Sequence, residues 1–112
     1  MNFQRVKITT TVPLENADAV REALGKAGAG VIGNYSFCSF AVTGKGYFMP
    51  NDQASPHIGQ ANKLEMVEEE RIEVVCNRNV AKRIISALRS AHPYEEPIVD
   101  ITPLIAEEDL SE

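Results

Sequence analysis

Val6-Lys7-Ile8-Thr9-Thr10-Thr11-Val12-Pro13, running straight into Leu14-Glu15-Asn16-Ala17-Asp18-Ala19-Val20-Arg21-Glu22-Ala23-Leu24, decides the fold. Val6, Ile8, Thr10 and Val12 share one face at period two, with Lys7 on the other. This β-branched alternation predicts a strand that Pro13 stops. The spacing then changes. Ala17, Val20, Leu24 and Ala27 recur at helical intervals, while Asp18, Arg21, Glu22 and Lys26 fall elsewhere. Gly28-Ala29-Gly30 ends this helix, because glycine takes the left-handed position after a helix without strain.

The same β-then-α unit recurs further on. Tyr35 to Thr43 is expected to be a second strand with aromatics on both faces. Gly44-Lys45-Gly46 signals a turn, with Tyr47-Phe48-Met49 as a short added strand and so an extra hairpin. Residues 44–62 then form a long loop containing Pro50 and Pro56; loops of this length in a small domain are functional or mobile. Leu64 to Cys76 is a third strand. Glu68-Glu69-Glu70 breaks its alternation, which predicts a bulge or a strand that outruns the core. Asn77 is placed to cap a second helix with Val80, Ile84, Ala87, Leu88 and Ala91 as its apolar stripe, ended by His92-Pro93. Ile98 to Pro103 is the last strand.

Strand, helix, strand, repeated twice with right-handed crossovers, gives an α+β ferredoxin-like βαββαβ sandwich with both helices on one sheet face. The other face carries enough apolar side chains to be expected against another copy of the chain.

The 112 residues suffice for one domain with its own core. We place it at 1–106, with a solvated acidic tail at 107–112. The net charge of −5 comes mostly from that tail: without Glu107, Glu108, Asp109 and Glu112, 12 acids face 11 bases. A body this close to neutral lacks the basic excess of a nucleic-acid binder. No apolar run is long enough to cross a membrane as a helix. The first five residues lack the apolar stretch of a leader, and two cysteines are too few for a disulfide scaffold. A reducing cytoplasm is the expected location.

Several strings resemble a known family. Gly28-Ala29-Gly30-x-Ile32-Gly33-Asn34-Tyr35-x-x-Cys38-Ser39-Phe40 comes first. Gly44-x-Gly46-x-Phe48-x-Pro50 and Pro56-x-Ile58-Gly59 follow, then His92-Pro93-Tyr94-Glu95-Glu96-Pro97 and Asp100. Together they resemble the PII/CutA-like domain inserted into YqfO-type (Nif-three-like) proteins, here expected to stand alone. The histidine-proline string also resembles the CutA trimers. The resemblance implies a homotrimer with ligand-sized clefts between subunits, and makes the 44–62 loop a candidate for contacting a protein partner. In the long relatives a dinuclear metal centre, and activity of hydrolase or GTP cyclohydrolase type, belong to flanking domains. Those do not fit into this length, so no enzyme activity and no catalytic residue is carried over.

The candidate chemistry is sparse. His92, Glu95 and Glu96, with His57 from the loop, offer nitrogen and oxygen ligands suited to a divalent metal ion. The architectural alternative weighs more, since a metal needs three or four converging ligands, while His92 can serve the helix end and the prolines shape a turn. Tyr35, Cys38, Lys45 and Tyr94 are candidates for lining a ligand cleft. Cys38 and Cys76 otherwise read as small apolar side chains. Gly28-x-Gly30-x-x-Gly33 spells a dinucleotide fingerprint, but follows a helix and precedes a strand, the reverse of what that site needs. These residues favour a non-enzymatic module that binds or senses a small molecule or divalent metal. A metal-assisted hydrolase of a small phosphorylated or nucleotide-like molecule, and a purely structural oligomerisation unit, are the alternatives.

Overall fold

The computed structural model describes residues 2–111; Met1 and the tail residue Glu112 lie outside them. Four strands and two helices alternate as β1 (Arg5–Pro13), α1 (Leu14–Lys26), β2 (Phe40–Phe48), β3 (Glu65–Asn77), α2 (Ala81–Ala91) and β4 (Asp100–Leu104). The sheet is antiparallel throughout, in the order β2-β3-β1-β4. This is the expected ferredoxin-like arrangement. Val6, Ile8 and Val12 of β1 and Ile72, Val74 and Cys76 of β3 meet Val20, Leu24, Ile84 and Leu88 of the helices in one buried cluster. Both helices therefore cover the same sheet face.

The end of α1 shows how the local chemistry works. Gly28 adopts φ +105°, its N–H reaches Gly25 O, and Ala29 N–H reaches back to Leu24 O at 3.0 Å. These paired bonds satisfy the last helical carbonyls and close the helix as a Schellman turn. Arg21 on α1 pairs with Glu70 of β3 as well as with Asp18, tying the helix to the sheet.

Three expectations are corrected. Tyr35 to Ser39 is not strand. Ile32 and Tyr35 exchange backbone bonds of 2.9 Å, and Cys38 N–H returns to Gly30 O, so this loop's hydrogen-bonding groups are spent on itself. Phe37 takes φ +58° and lays its ring over Gly25, where a Cβ would stand 2.0 Å from the ring.

Nor is Gly44-Lys45-Gly46 a turn, and there is no extra hairpin. β2 runs unbroken through both glycines because β3 supplies a paired partner for every residue, Gly44 opposite Glu69 and Gly46 opposite Val67. At Glu68-Glu69-Glu70 the second of the two expected outcomes holds: the register is continuous without a bulge, and β3 outruns the core, with residues 65–68 paired to β2 alone. The resulting ribbon helps stretch the molecule to 51 Å against 26 and 23 Å across. Finally, Asn77 makes no side-chain cap. It pairs with Arg5 as the last residue of β3, and a short 3-10 turn, Arg78–Val80, leads into α2.

The acidic tail is not wholly irregular either, since Glu107–Asp109 makes a 3-10 turn. The uncovered sheet face is mixed rather than apolar. Lys7, Thr9, Thr11, Arg71 and Glu73 run down its middle, with apolar side chains at Phe40, Val42 and Phe48 of β2, Val67 and Val75 of β3 and Leu104 of β4. No helix among the described residues is long and apolar enough to cross a membrane.

Candidate functional site

Strand alternation sends Val42, Gly44, Gly46 and Phe48 of β2 and Glu69 and Arg71 of β3 to the uncovered face. Glu69 covers Gly46, and Gly44 leaves a short bare strip there. Across it fold the loop after β2, carrying Pro56, His57 and Ile58, and the link after α2, carrying Tyr94 and Ile98. Between them lies a groove of about 800 Å3, within the range of small-molecule sites.

The link is fixed from below by His92. Pro93 forces His92 out of helical geometry, to φ −80° and ψ 134°, while its N–H still closes α2 on Leu88 O. This turns the imidazole inward, where it is buried. Nδ1 accepts the Tyr94 N–H at 3.1 Å and Nε2 lies 2.7 Å from Thr11 O. A ring nitrogen that accepts carries no proton, so the proton sits on Nε2 and is donated to Thr11 O. Burial holds the imidazole below its ordinary 6.5, against the opposing pull of the Thr11 hydrogen bond and the Glu69 charge. His92 is thus a neutral strut.

The strut carries Tyr94. Its ring packs on His92 at 4.9 Å between centroids, on Phe48 at 6.1 Å and on His57 at 6.3 Å. Its hydroxyl donates to Glu69 Oε2 at 2.7 Å. Burial, followed by that hydrogen bond and the carboxylate's charge, pushes the phenol far above its ordinary value, so it remains a donor. Glu69 itself is only 8% exposed. Its carboxylate lies against Gly46, where any Cβ would come within 1.9 Å of Oε1. The loop is held across the groove by Ser55 N–H, which donates to the Glu95 carboxylate at 3.1 and 3.3 Å. Asn62 steadies its base through Asp52 at 2.7 Å and Pro50 O at 2.6 Å.

Of the cleft candidates, Tyr94 and Lys45 border the groove, although Lys45 pairs with Glu68 on the opposite side of the ribbon. Tyr35 and Cys38 sit in the loop between α1 and β2, away from it. Of the proposed metal ligands, His57, Glu95 and Glu96 line the groove and His92 lies beneath it with both nitrogens engaged. Among the described residues no three His, Cys, Asp or Glu side chains are grouped to hold a metal ion. Glu69 and Arg71 were not singled out as site residues from the sequence, and Phe48 entered only as part of a family-like string. The usable signal was an acid on the non-core side of a strand, opposite a glycine-x-glycine.

Comparison with known proteins fits this fold. No family model matches the chain. A Mycobacterium leprae protein named as a GTP cyclohydrolase 1 type 2 homolog is 51% identical over 94 residues, 84% of this chain and 24% of that protein. The crystal structure of a Bacillus cereus protein related to NIF3 superposes with a TM-score of 0.79 at 42% identity, over 91% of this chain and 26% of that one.

The chain resembles the PII/CutA-like segment of the NIF3-like family.

The CutA-like character is one of fold. The periplasmic divalent cation tolerance protein CutA of Archaeoglobus fulgidus matches 93% of this chain and 89% of its own, with a TM-score of 0.67 but only 18% identity. The chain spans about a quarter of the length of the NIF3-like relatives it matches. What those long proteins do as wholes therefore does not pass to it directly.

Proposed function

We propose that this chain is a small-ligand-binding module that works as a homotrimer in the cytoplasm, with the groove on the uncovered sheet face as its ligand site. The observation that carries this reading is the buried Glu69–Tyr94 pair in a hollow walled by apolar side chains such as Val42, Phe48 and Ile58, with Arg71, His57 and Glu95 also on its lining. Buried polar groups cost stability unless they are fully partnered, and sites for small molecules pair apolar walls with a few convergent polar atoms. The loop over residues 49–64 crosses the groove on few ties, so a ligand that displaces the Ser55–Glu95 contact changes the surface the loop shows to a partner.

Self-association draws support from the exposed Val31, Ile32, Tyr35, Phe37 and Phe40, which cluster in sequence between α1 and β2. The cytoplasm agrees with two cysteines that are both free thiols. The reading is tested by native mass spectrometry of gently purified protein beside its Tyr94→Ala variant. A trimer that retains a small-molecule mass, lost in Tyr94→Ala, supports it. A monomer overturns the trimer. A bare trimer whose loop and groove respond to no small molecule makes the chain an oligomerisation unit instead.

A further inference from the structure

The base of the groove has a specific chemistry. Glu69 is 8% exposed and borders the hollow. Its Oε2 is taken by the Tyr94 hydroxyl at 2.7 Å. Among the described residues Oε1 receives no hydrogen bond, and no Lys, Arg or His lies within ion-pair distance of either oxygen. The cation nearest along the strand, Arg71, also lines the groove, and its Nε lies 3.5 Å from Glu73. A carboxylate has about four acceptor positions; the Tyr94 hydroxyl fills one, and Oε1 is left open to the groove, where a ligand can donate to it in place of solvent. The Tyr94 hydroxyl also stops the carboxylate from rotating away, which leaves Oε1 as a fixed acceptor.

The walls restrict the shape of what can meet it. Gly44 exposes flat backbone instead of a side chain, with nothing within 4 Å of where its Cβ would lie, while the Glu69 carboxylate covers Gly46. Phe48 and Tyr94, with rings tilted by 52° at 6.1 Å, form an aromatic side. Flat backbone opposite aromatic faces admits a ring more readily than a branched aliphatic group, and a cation beside an aromatic face is favoured.

We infer that the groove takes a planar ligand with an amidine-type N–H edge, an aromatic or heteroaromatic ring bearing adjacent nitrogen donors, accepted by Glu69 Oε1. This rests on the groove being the ligand site and names the class of ligand. Amidine-type groups present donors in the plane of the ring, which suits a carboxylate fixed at the base of a slot.

The test uses benzamidinium and benzoate, matched in ring and size but opposite in charge, titrated into the full chain and followed by the amide NMR signals of Gly44, Gly46 and Tyr94. Benzamidinium is expected to shift these signals and to bind at least tenfold more tightly than benzoate. Glu69→Gln keeps an acceptor for the Tyr94 hydroxyl but sets an amide against the ligand's donors; it is expected to weaken benzamidinium at least tenfold while leaving the remaining spectrum intact. Equal binding of benzoate, or benzamidinium binding that Glu69→Gln leaves unchanged, overturns the ligand class and leaves the groove as a site for some other molecule. If neither compound moves those amides, the inference falls, and retained mass in the native spectrum decides separately whether the groove reading survives. The comparison of the two probes on the unmodified protein stands even if Glu69→Gln fails to fold.

Discussion

Replacing Gly46 by Ala, with Gly44→Ala as its matched control, probes the base of the groove most directly. Both glycines lie in β2 on the same face, two residues apart, and neither has a positive φ. Alanine at either site removes the same backbone freedom from the unfolded chain, a gain of about 0.4–1 kcal/mol. They differ in what the new methyl meets. At Gly44 nothing lies within 4 Å, whereas at Gly46 the Cβ falls 1.9 Å from Glu69 Oε1 and 2.7 Å from Cδ. The carboxylate must move, and it cannot do so while accepting from Tyr94. Losing a hydrogen bond to a charged group costs about 1.5–3 kcal/mol. Gly44→Ala is therefore expected to raise stability slightly, and Gly46→Ala to lower it by about 1–2 kcal/mol net. For 112 residues the unfolding entropy is roughly 235 cal/mol/K, so each kcal/mol moves Tm by about 4 °C. Thermal unfolding at one fixed protein concentration should then separate the two variants by roughly 6–13 °C. In a Tyr94→Phe background, where the bond is already absent, the separation should largely close. Equal Tm values in the unmodified background would refute the close packing of Glu69 on Gly46.

Three further outcomes follow from the same geometry. His92 is buried neutral, so its folded value lies below its unfolded 6.5 and the unfolded chain binds the extra proton; stability is full above that pH and declines as pH falls through it. Denaturant titrations at pH 7.5 and 5.5 should show this loss, and His92→Gln should reduce it. Ile84→Ala empties a fully buried core position on α2 and should cost about 2–5 kcal/mol, more than Gly46→Ala; a smaller loss in urea unfolding would mean that the helix pair repacks. Cys76 is buried and its thiol is pushed up by that burial, only partly offset by Arg5. Brief alkylation of the folded protein should therefore label Cys38 alone, with mass spectrometry showing a second label only after denaturation.

The candidate site was half legible beforehand. His92-Pro93-Tyr94-Glu95-Glu96-Pro97 stood out because two prolines shortly after a histidine constrain a turn whatever surrounds it, and Tyr94 does line the groove. Yet His92, which offered itself as a ligand, is spent on Thr11 O and the Tyr94 N–H. Glu69 went unnoticed because in the sequence it is the middle of three glutamates, and a run of acids ordinarily means a solvated surface. Its burial comes from Tyr94, 25 residues further along. The glycines of β2 misled in the same way. Gly-Lys-Gly is a turn signal by local preference, but a partner strand paired along its whole length overrides that preference.

The amino-acid sequence alone determined the order of elements, the core faces of both helices and of β1, and the place where α1 stops. Each of these follows from interactions within a few residues: side-chain periodicity, glycine's access to positive φ, and the fixed φ of proline. The tertiary structure alone decided that β2 runs from Phe40 to Phe48, that Lys45 and Glu69 stand on opposite sides of the ribbon, and that Glu69 meets Tyr94. Strand pairing and burial are set by partners brought together only when the chain closes, and a residue's own neighbours in sequence carry no record of them.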